Sequence, residues 1–299
     1  MNQKSAIYLV VGPLAYRLTS NHSIACDTMY AQFLQTEPLA SDKEVRLFVE
    51  CELKVADGEI PIDGHLVYQD PVNSIFVNDQ GLETRVLAFE GKPYAVCRES
   101  SKASLELILA KVWLSDSHIF VNQPILEALM MERYMMMCKG LILHSSFIVD
   151  DGYAILFTAP SGTGKSTQAA LWEKYAGAEI INGDRSVVWS DNLHFMASGL
   201  PFCGSSGINK VRTVSLGSIV FIEQAPNNSA EPMSTSVAAR KLFGEMIINK
   251  WNQGFVNQSL DLIERLVASV PMVRLKCNME EGAVTTLRTY LTQIKKNDG

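Results

Sequence analysis

The stretch from Tyr153 to Thr167 constrains the fold more than any other part of this sequence. It begins with an apolar run, Ala154 to Phe157, which predicts a buried strand, and the pattern from Thr167 to Ala176 predicts a helix. A glycine-containing loop and a Gly-Lys-Ser triplet lie between them, which is the order of a phosphate-binding P-loop. The predicted phosphate-binding residues are Ser161, Gly162, Thr163, Gly164, Lys165, Ser166 and Thr167.

Each residue type in this loop suits phosphate chemistry. Gly162 and Gly164 allow backbone N–H groups to turn inward around phosphate oxygens, and the helix N-terminus adds its positive dipole end. Lys165 would reach the β- and γ-phosphates, and the Ser166 hydroxyl would ligate Mg²⁺. The usual pattern starts with Gly where this chain has Ala159. A chance glycine-rich turn is the alternative reading, but it does not explain the strand before the loop.

Composition limits the classes of protein to which the chain can belong. At 299 residues it is one large domain or two ordinary ones, and its 47% of hydrophobic residues can bury a sizeable core. A net charge of −6, with no basic stripe beyond Lys295 and Lys296, argues against nucleic-acid binding. The six cysteines form no C-x-x-C pair, which indicates reduced thiols rather than a zinc site or a disulfide framework.

The apolar run from Ala6 to Val11 is too short for the hydrophobic part of a signal peptide, and Gly12-Pro13 interrupts it. No run approaches 18 consecutive apolar residues, so no transmembrane helix is predicted. We therefore expect a cytoplasmic protein without a membrane partner.

We predict two domains, 1–123 and 124–299. The first is β-rich, because residues 45–55 alternate between apolar and polar side chains, and several short strands separated by turn residues suggest a meander. The second starts with a predicted helix from Pro124 to Lys139, whose methionines we interpret as packing residues. Further helices are predicted over residues 234–250, 260–268 and 281–294.

The apolar segment Leu141 to Val149 is followed by Asp151-Gly152, which is a strong signal for a tight hairpin. With these two residues as the loop, Asp150 pairs with Tyr153 and His144 falls opposite Ala159. The P-loop strand is therefore predicted to lie in an antiparallel hairpin, with His144 beside the phosphates. A histidine satisfied within the core is the alternative reading.

A P-loop enzyme needs a second carboxylate at its Mg²⁺, and three acids follow apolar runs: Asp184, Asp191 and Glu223. Asp191 lies in a predicted turn and is the weakest candidate. Glu223 would suit an ordinary motor-type ATPase. Asp184 comes 18 residues after Ser166, directly after the next predicted strand, and this short path favours a compact kinase-like site.

Taken together, His144, the P-loop and the Ile-Ile-Asn-Gly-Asp run that ends at Asp184 resemble the catalytic domain of HPr serine kinase/phosphorylase. Its wider superfamily includes ATP-dependent phosphoenolpyruvate carboxykinase. The resemblance implies an α/β (α+β) chain, in which a P-loop domain with a mixed sheet follows the smaller β-rich domain. Family members carry two consecutive aspartates after the P-loop helix; Asp184 matches the second, and Gly183 replaces the first. The family's glycine-rich signature is not found after Asp184. On the resemblance, the small-residue loop of residues 204–207 would take its place, and Lys210 or Arg212 would be the transition-state cation.

The resemblance implies a kinase that uses ATP or GTP with Mg²⁺, held by Ser166 and Asp184, to phosphorylate a hydroxyl, with a peptide or protein Ser or Thr as a plausible acceptor. Asp184, His144 and Lys165 would be its catalytic residues. Ala159 and Gly183 depart from the pattern of active family members, so a nucleotide-binding regulatory or scaffold protein that has lost catalysis is one alternative. A plain ATPase that uses Glu223 is another. Family members often form oligomers, which leaves a homo-oligomer open.

Overall fold

The computed structural model describes residues 4–37, 45–115 and 118–297, with side chains to residue 294. It is a mixed α/β structure with several mixed sheets. The chain divides into two compact units, Met1–Cys138 and Lys139–Gly299, which we call the first and second units. The predicted boundary lay earlier, before residue 124. Residues 124–138 belong to the first unit because the short helix that begins this segment contacts two of its strands.

The first unit is dominated by strands. They are β1 (Ser5–Val11), β2 (Leu14–Ser20), β3 (Ser23–Cys26), β4 (Leu34–Gln35), β5 (Leu47–Ala56), β6 (His65–Gln69), β7 (Asn73–Val77), β8 (Glu83–Phe89), β9 (Lys92–Ser101), β10 (Ser104–Ala110), β11 (Leu114–Ser115) and β12 (His118–Val121). One sheet has the order β4-β1-β2-β5-β10-β9-β8-β7-β6, and a smaller one has the order β11-β12-β3. Strands β6 to β9 form the predicted meander, and β10, which was not predicted, extends it. Strand β5 pairs in parallel with β2 and β10.

The single helix predicted from Pro124 to Lys139 is two helices, α1 (Gln123–Ala128) and α2 (Met131–Met137). The break occurs at Met130, whose left-handed conformation (φ 50°) cannot continue a helix. The methionines of this segment are mostly buried, in agreement with a packing role. Arg133 of α2 lies between two buried carboxylates, 2.7 Å from Glu83 and 2.6 Å from Glu99.

The second unit contains the segment predicted to be a P-loop. Its strands are β13 (Gly140–His144), β14 (Ser146–Asp150), β15 (Tyr153–Thr158), β16 (Glu179–Asn182), β17 (Arg185–Ser190), β18 (Phe195–Gly199), β19 (Thr213–Gln224), β20 (Ser229–Pro232) and β21 (Met272–Cys277). Its helices are α3 (Lys165–Ala176), α4 (Thr235–Glu245), α5 (Gln253–Ser269) and α6 (Glu281–Asn297). The sheet order is β13-β17-β18-β19-β15-β14-β16, with β21 added beside β19 and β20 beside β21.

The P-loop strand β15 lies between an antiparallel and a parallel neighbour. Its hairpin with β14 has the predicted register, Asp150 opposite Tyr153, and its other edge pairs in parallel with β19. Helices α3 and α6 cover this part of the sheet, and fully buried Trp172 packs against Phe157 with ring centroids 6.2 Å apart. Within the described ranges, no helix is long and apolar enough to cross a membrane.

The segment predicted as one strand, Leu141 to Val149, is two strands, β13 and β14, which pair with different neighbours. The chain changes direction at Ser145, whose backbone N–H donates to the carbonyl oxygen of Asp184 at 2.9 Å. His144 therefore does not continue the hairpin opposite Ala159 as predicted, and it pairs with Arg185 of β17 instead. It still lies beside the P-loop strand, because the Thr158 hydroxyl donates to its carbonyl oxygen at 3.0 Å.

Candidate nucleotide-binding site

The predicted P-loop connects β15 to α3 and contains two glycines with positive φ. Gly162 (φ 79°) and Gly164 (φ 111°) both adopt left-handed conformations, which side chains disfavour. An ideal Cβ at either position would meet no described atom within 4 Å, so backbone conformation, and not space, calls for glycine there. Gly164 immediately precedes α3, so the loop leads directly into the positive end of a helix of 12 residues.

Ala159, the departure from the usual pattern, is accommodated by packing. Its side chain is 4% exposed and belongs to the hydrophobic cluster around Trp172. Its carbonyl oxygen accepts a hydrogen bond of 2.8 Å from the Nζ of Lys165. The first residue of the loop thus joins the core and anchors the lysine at the same time.

Lys165 is buried in the loop, with 7% of its surface exposed. Burial lowers the pKa of its ammonium group, while the carboxylates of Glu245 and Asp184 act in the opposite direction. A buried ammonium group at the start of a helix is suited to a polyphosphate, because both the lysine charge and the helix N-terminus attract anions.

Asp184 is held in place by a turn that follows β16. The side-chain oxygen of Asn182 accepts hydrogen bonds from the backbone N–H groups of Asp184 and Arg185, each at 2.9 Å. The Asp184 carboxylate lies 3.4 Å from Nε2 of His144 and 3.2 Å from Nε of Arg185. The hydrogen bond with His144 and the positive charge of Arg185 lower the pKa of Asp184, and partial burial opposes this shift. The carboxylate is therefore kept ionised.

Glu245 completes this cluster, although no motif in the sequence pointed to it. Its Oε2 lies 3.5 Å from Nδ1 of His144, so the imidazole lies between two carboxylates. The helix that was predicted to run to residue 250 ends at Glu245. It ends there because Met246 forms a β-bridge with Leu143 of β13, and the backbone N–H of residue 247 donates to the carbonyl oxygen of Ile142. We call His144, Lys165, Asp184 and Glu245 the P-loop charge cluster.

The predicted metal ligands have suitable donor chemistry. Ser166 and Asp184 offer a hydroxyl and a carboxylate, the oxygen donors that Mg²⁺ prefers. The Ser166 hydroxyl donates to the carbonyl oxygen of Gly183 at 3.3 Å, next to Asp184 in the chain. Among the residues that the structure describes, no group of three or more His, Cys, Asp or Glu side chains could hold a metal ion. In P-loop proteins the nucleotide phosphates supply further ligands.

The position of Gly183, where the resemblance calls for a first aspartate, has no room for a side chain. An ideal Cβ there would lie 2.1 Å from the hydroxyl oxygen of Ser206. The same turn, residues 204–206, also lies against Asp184: a Cβ at Gly204 would come within 2.9 Å of its Cβ and Cγ atoms. Ser206 therefore occupies the space beside the missing acid.

The other predicted residues have different surroundings. Lys210 forms an ion pair with Glu179 at 3.0 Å, and Arg212 is exposed. The arginine that lies beside Asp184 is Arg185. Its guanidinium group lies 5.1 Å from the centre of the Phe202 ring.

The two alternative acids also have other partners. Glu223 is paired with Lys241 at 3.2 Å and with Arg274 at 3.5 Å. Asp191 accepts the backbone N–H of Leu193 at 2.8 Å within a turn, as its sequence context suggested.

Comparison with known proteins places the chain in a family. The family model of SynChlorMet cassette protein ScmC matches residues 115–283, more than half of the chain. No curated protein matches. Among solved structures, the HPr(Ser) kinase/phosphatase from Coxiella burnetii is similar at 13% identity and a TM-score of 0.30, over 52% of this chain and 98% of that one. This is a distant structural relationship and does not bear on activity. The chain belongs to the ScmC family of SynChlorMet cassette proteins.

Proposed function

We propose that this protein is a Mg²⁺-dependent phosphotransferase that moves the γ-phosphate of ATP to a hydroxyl group, with a Ser or Thr of a peptide or protein as the acceptor. The observation that supports it best is the P-loop charge cluster: a buried P-loop lysine accompanied by two carboxylates and a histidine that lies between them. Phosphoryl transfer depends mainly on positioning and charge stabilisation, and this cluster offers both.

Each residue has a role in this proposal. The inward-turned N–H groups of the P-loop bind the phosphates, and Lys165 stabilises negative charge on the transferred group. Ser166 and Asp184 hold Mg²⁺, which supplies further charge neutralisation when bound. The proton of the attacking hydroxyl moves to Asp184 and on to His144, whose other ring nitrogen faces Glu245 at 3.5 Å. The ionised state of Asp184 suits both metal binding and proton acceptance.

A second candidate function is a nucleotide-binding scaffold without catalysis. The contact of Ser206 with Gly183 favours it, because the hydroxyl fills the space where an active relative of this kind would carry an acid. A plain ATPase that relies on Glu223 has less support, since that carboxylate is engaged by Lys241 and Arg274.

The nucleotide-binding part of the proposal is tested by calorimetric titration with ATP and Mg²⁺. Lys165→Ala should weaken ATP binding about 10- to 100-fold, because it removes a charge-assisted contact to phosphate. Lys174→Ala is the matched control, since Lys174 is an exposed lysine on the same helix. Equal ATP affinity in wild type and Lys165→Ala would contradict the proposal.

A further inference from the structure

A pocket of about 420 Å³ adjoins the P-loop. Thr163, Gly164 and Thr167 form one side, and residues at the ends of β19 and β21 form the other. Its volume is in the range of small-ligand sites. We infer that this pocket binds the adenine base of the nucleotide and selects adenine over guanine, an inference that rests on the proposed function.

The position of the pocket suits a base. It shares three residues with the loop that we propose for the phosphates, so a nucleotide bound there has its base within reach of the pocket. Ile222 and Ala225 provide apolar surface on the far side. Met279, whose side chain is 74% exposed at the rim, is a flexible thioether of the kind that packs well on flat aromatic rings.

Gln168 supplies the specific polar contact. It lines the pocket and is 2% exposed. Its Nε2 donates to the Asn278 carbonyl oxygen at 3.0 Å and to Sγ of Cys277 at 3.2 Å. A carbonyl only accepts, so these contacts fix the orientation of the amide. Its Oε1 is then a buried acceptor that has no partner among the described residues, and a buried acceptor without a donor is unfavourable.

The other two amide side chains of the pocket use their NH₂ groups in hydrogen bonds within the protein. The Gln224 amide nitrogen donates to the Thr163 carbonyl oxygen, and that of Asn278 donates to the Pro226 carbonyl oxygen. Each of the three amide NH₂ groups thus donates to at least one protein acceptor, while the Gln168 oxygen has no partner among the described residues. Adenine carries an amine donor at its six position, whereas guanine and hypoxanthine carry a carbonyl acceptor there. The pocket therefore favours adenine.

The test is a calorimetric series in Mg²⁺ buffer with ATP, inosine triphosphate, GTP and inorganic tripolyphosphate. Wild type should bind ATP about tenfold more tightly than inosine triphosphate, in which a carbonyl replaces that amine and the adjacent ring nitrogen carries a hydrogen. Gln168→Met, similar in size but without the acceptor, should lose this preference and keep the wild-type affinity for tripolyphosphate. Gln258→Met, on the exposed face of α5, is the control and should behave as wild type.

The outcomes separate this inference from the proposed function. Binding of tripolyphosphate together with equal affinities for the three nucleotides would overturn the adenine pocket and leave the P-loop proposal standing. Tighter binding of GTP or inosine triphosphate than of ATP would also overturn it. Failure of every triphosphate to bind would overturn both. If Gln168→Met does not fold, the wild-type series alone decides.

Discussion

Two groups of charged side chains, one in each unit, differ in how tightly their charges are enclosed. In the first unit, Arg133 lies 2.6–2.7 Å from Glu99 and Glu83, whose side chains are each 2% exposed. In the second unit, His144 lies 3.4–3.5 Å from Asp184 and Glu245, and the His144 and Asp184 side chains are 33% and 25% exposed. The first arrangement is closed and structural. The second is looser and more open to solvent, as the proposed function requires.

The comparison first predicts a large stability effect in the closed group. Arg133→Met should lower the free energy of unfolding by about 3–5 kcal/mol, because it leaves Glu83 and Glu99 buried without their shared cation. Urea denaturation measures this loss. Arg17→Met, which removes an exposed pair with Glu50, should cost about 1 kcal/mol or less. Equal losses in the two variants would show that the group around Arg133 is not the closed structure described.

A smaller effect is expected at Gly183, where Ser206 leaves no room for a side chain. Gly183→Asp should destabilise the protein by about 1–3 kcal/mol, because the new side chain overlaps the Ser206 hydroxyl. The double variant Gly183→Asp with Ser206→Gly should recover much of this loss, and urea denaturation of both variants measures the coupling. A fully stable single variant would mean that Ser206 does not fill this space.

The smallest effect concerns how the contribution of the P-loop charge cluster to stability depends on pH. His144 and Arg185 lower the pKa of Asp184 below its ordinary value of 3.8, so their contribution to stability is present above pH 3.8 and is lost as the pH falls through the lowered pKa. Asp184→Asn should therefore cost about 1 kcal/mol at pH 7 and progressively less in acid. Asp261→Asn, at an exposed position of α5, is the control. A loss that grows as the pH falls would contradict this sign.

Sequence reasoning succeeded where structure is set by neighbouring residues. The Asp150–Tyr153 hairpin register and the meander of the first unit both follow from local turn chemistry and alternation. His144 and Asp184 could be named as candidates because each lies a few residues from a recognisable element. Their side chains do lie together, 3.4 Å apart, although the strand containing His144 was not the one predicted.

The remainder depended on tertiary contacts. Glu245 enters the cluster because residues 246 and 247 pair with β13, a contact that no local pattern in the sequence reveals. The break at Met130 requires a left-handed methionine, which local propensity disfavours. The division at residue 138 reflects the packing of α1 on β8 and β9, which strand and helix patterns alone do not specify.

The central claim is the proposal that the P-loop charge cluster catalyses phosphate transfer. The most direct test is to incubate the protein with γ-labelled ATP, Mg²⁺ and a library of peptides that contain Ser and Thr. We expect label to pass to peptide hydroxyls with wild type. Asp184→Asn should still bind ATP but transfer label at least about 100-fold more slowly, because Asp184 is assigned to the metal and the proton. Tight ATP binding by wild type without transfer to any peptide would contradict the claim and favour a nucleotide-binding scaffold.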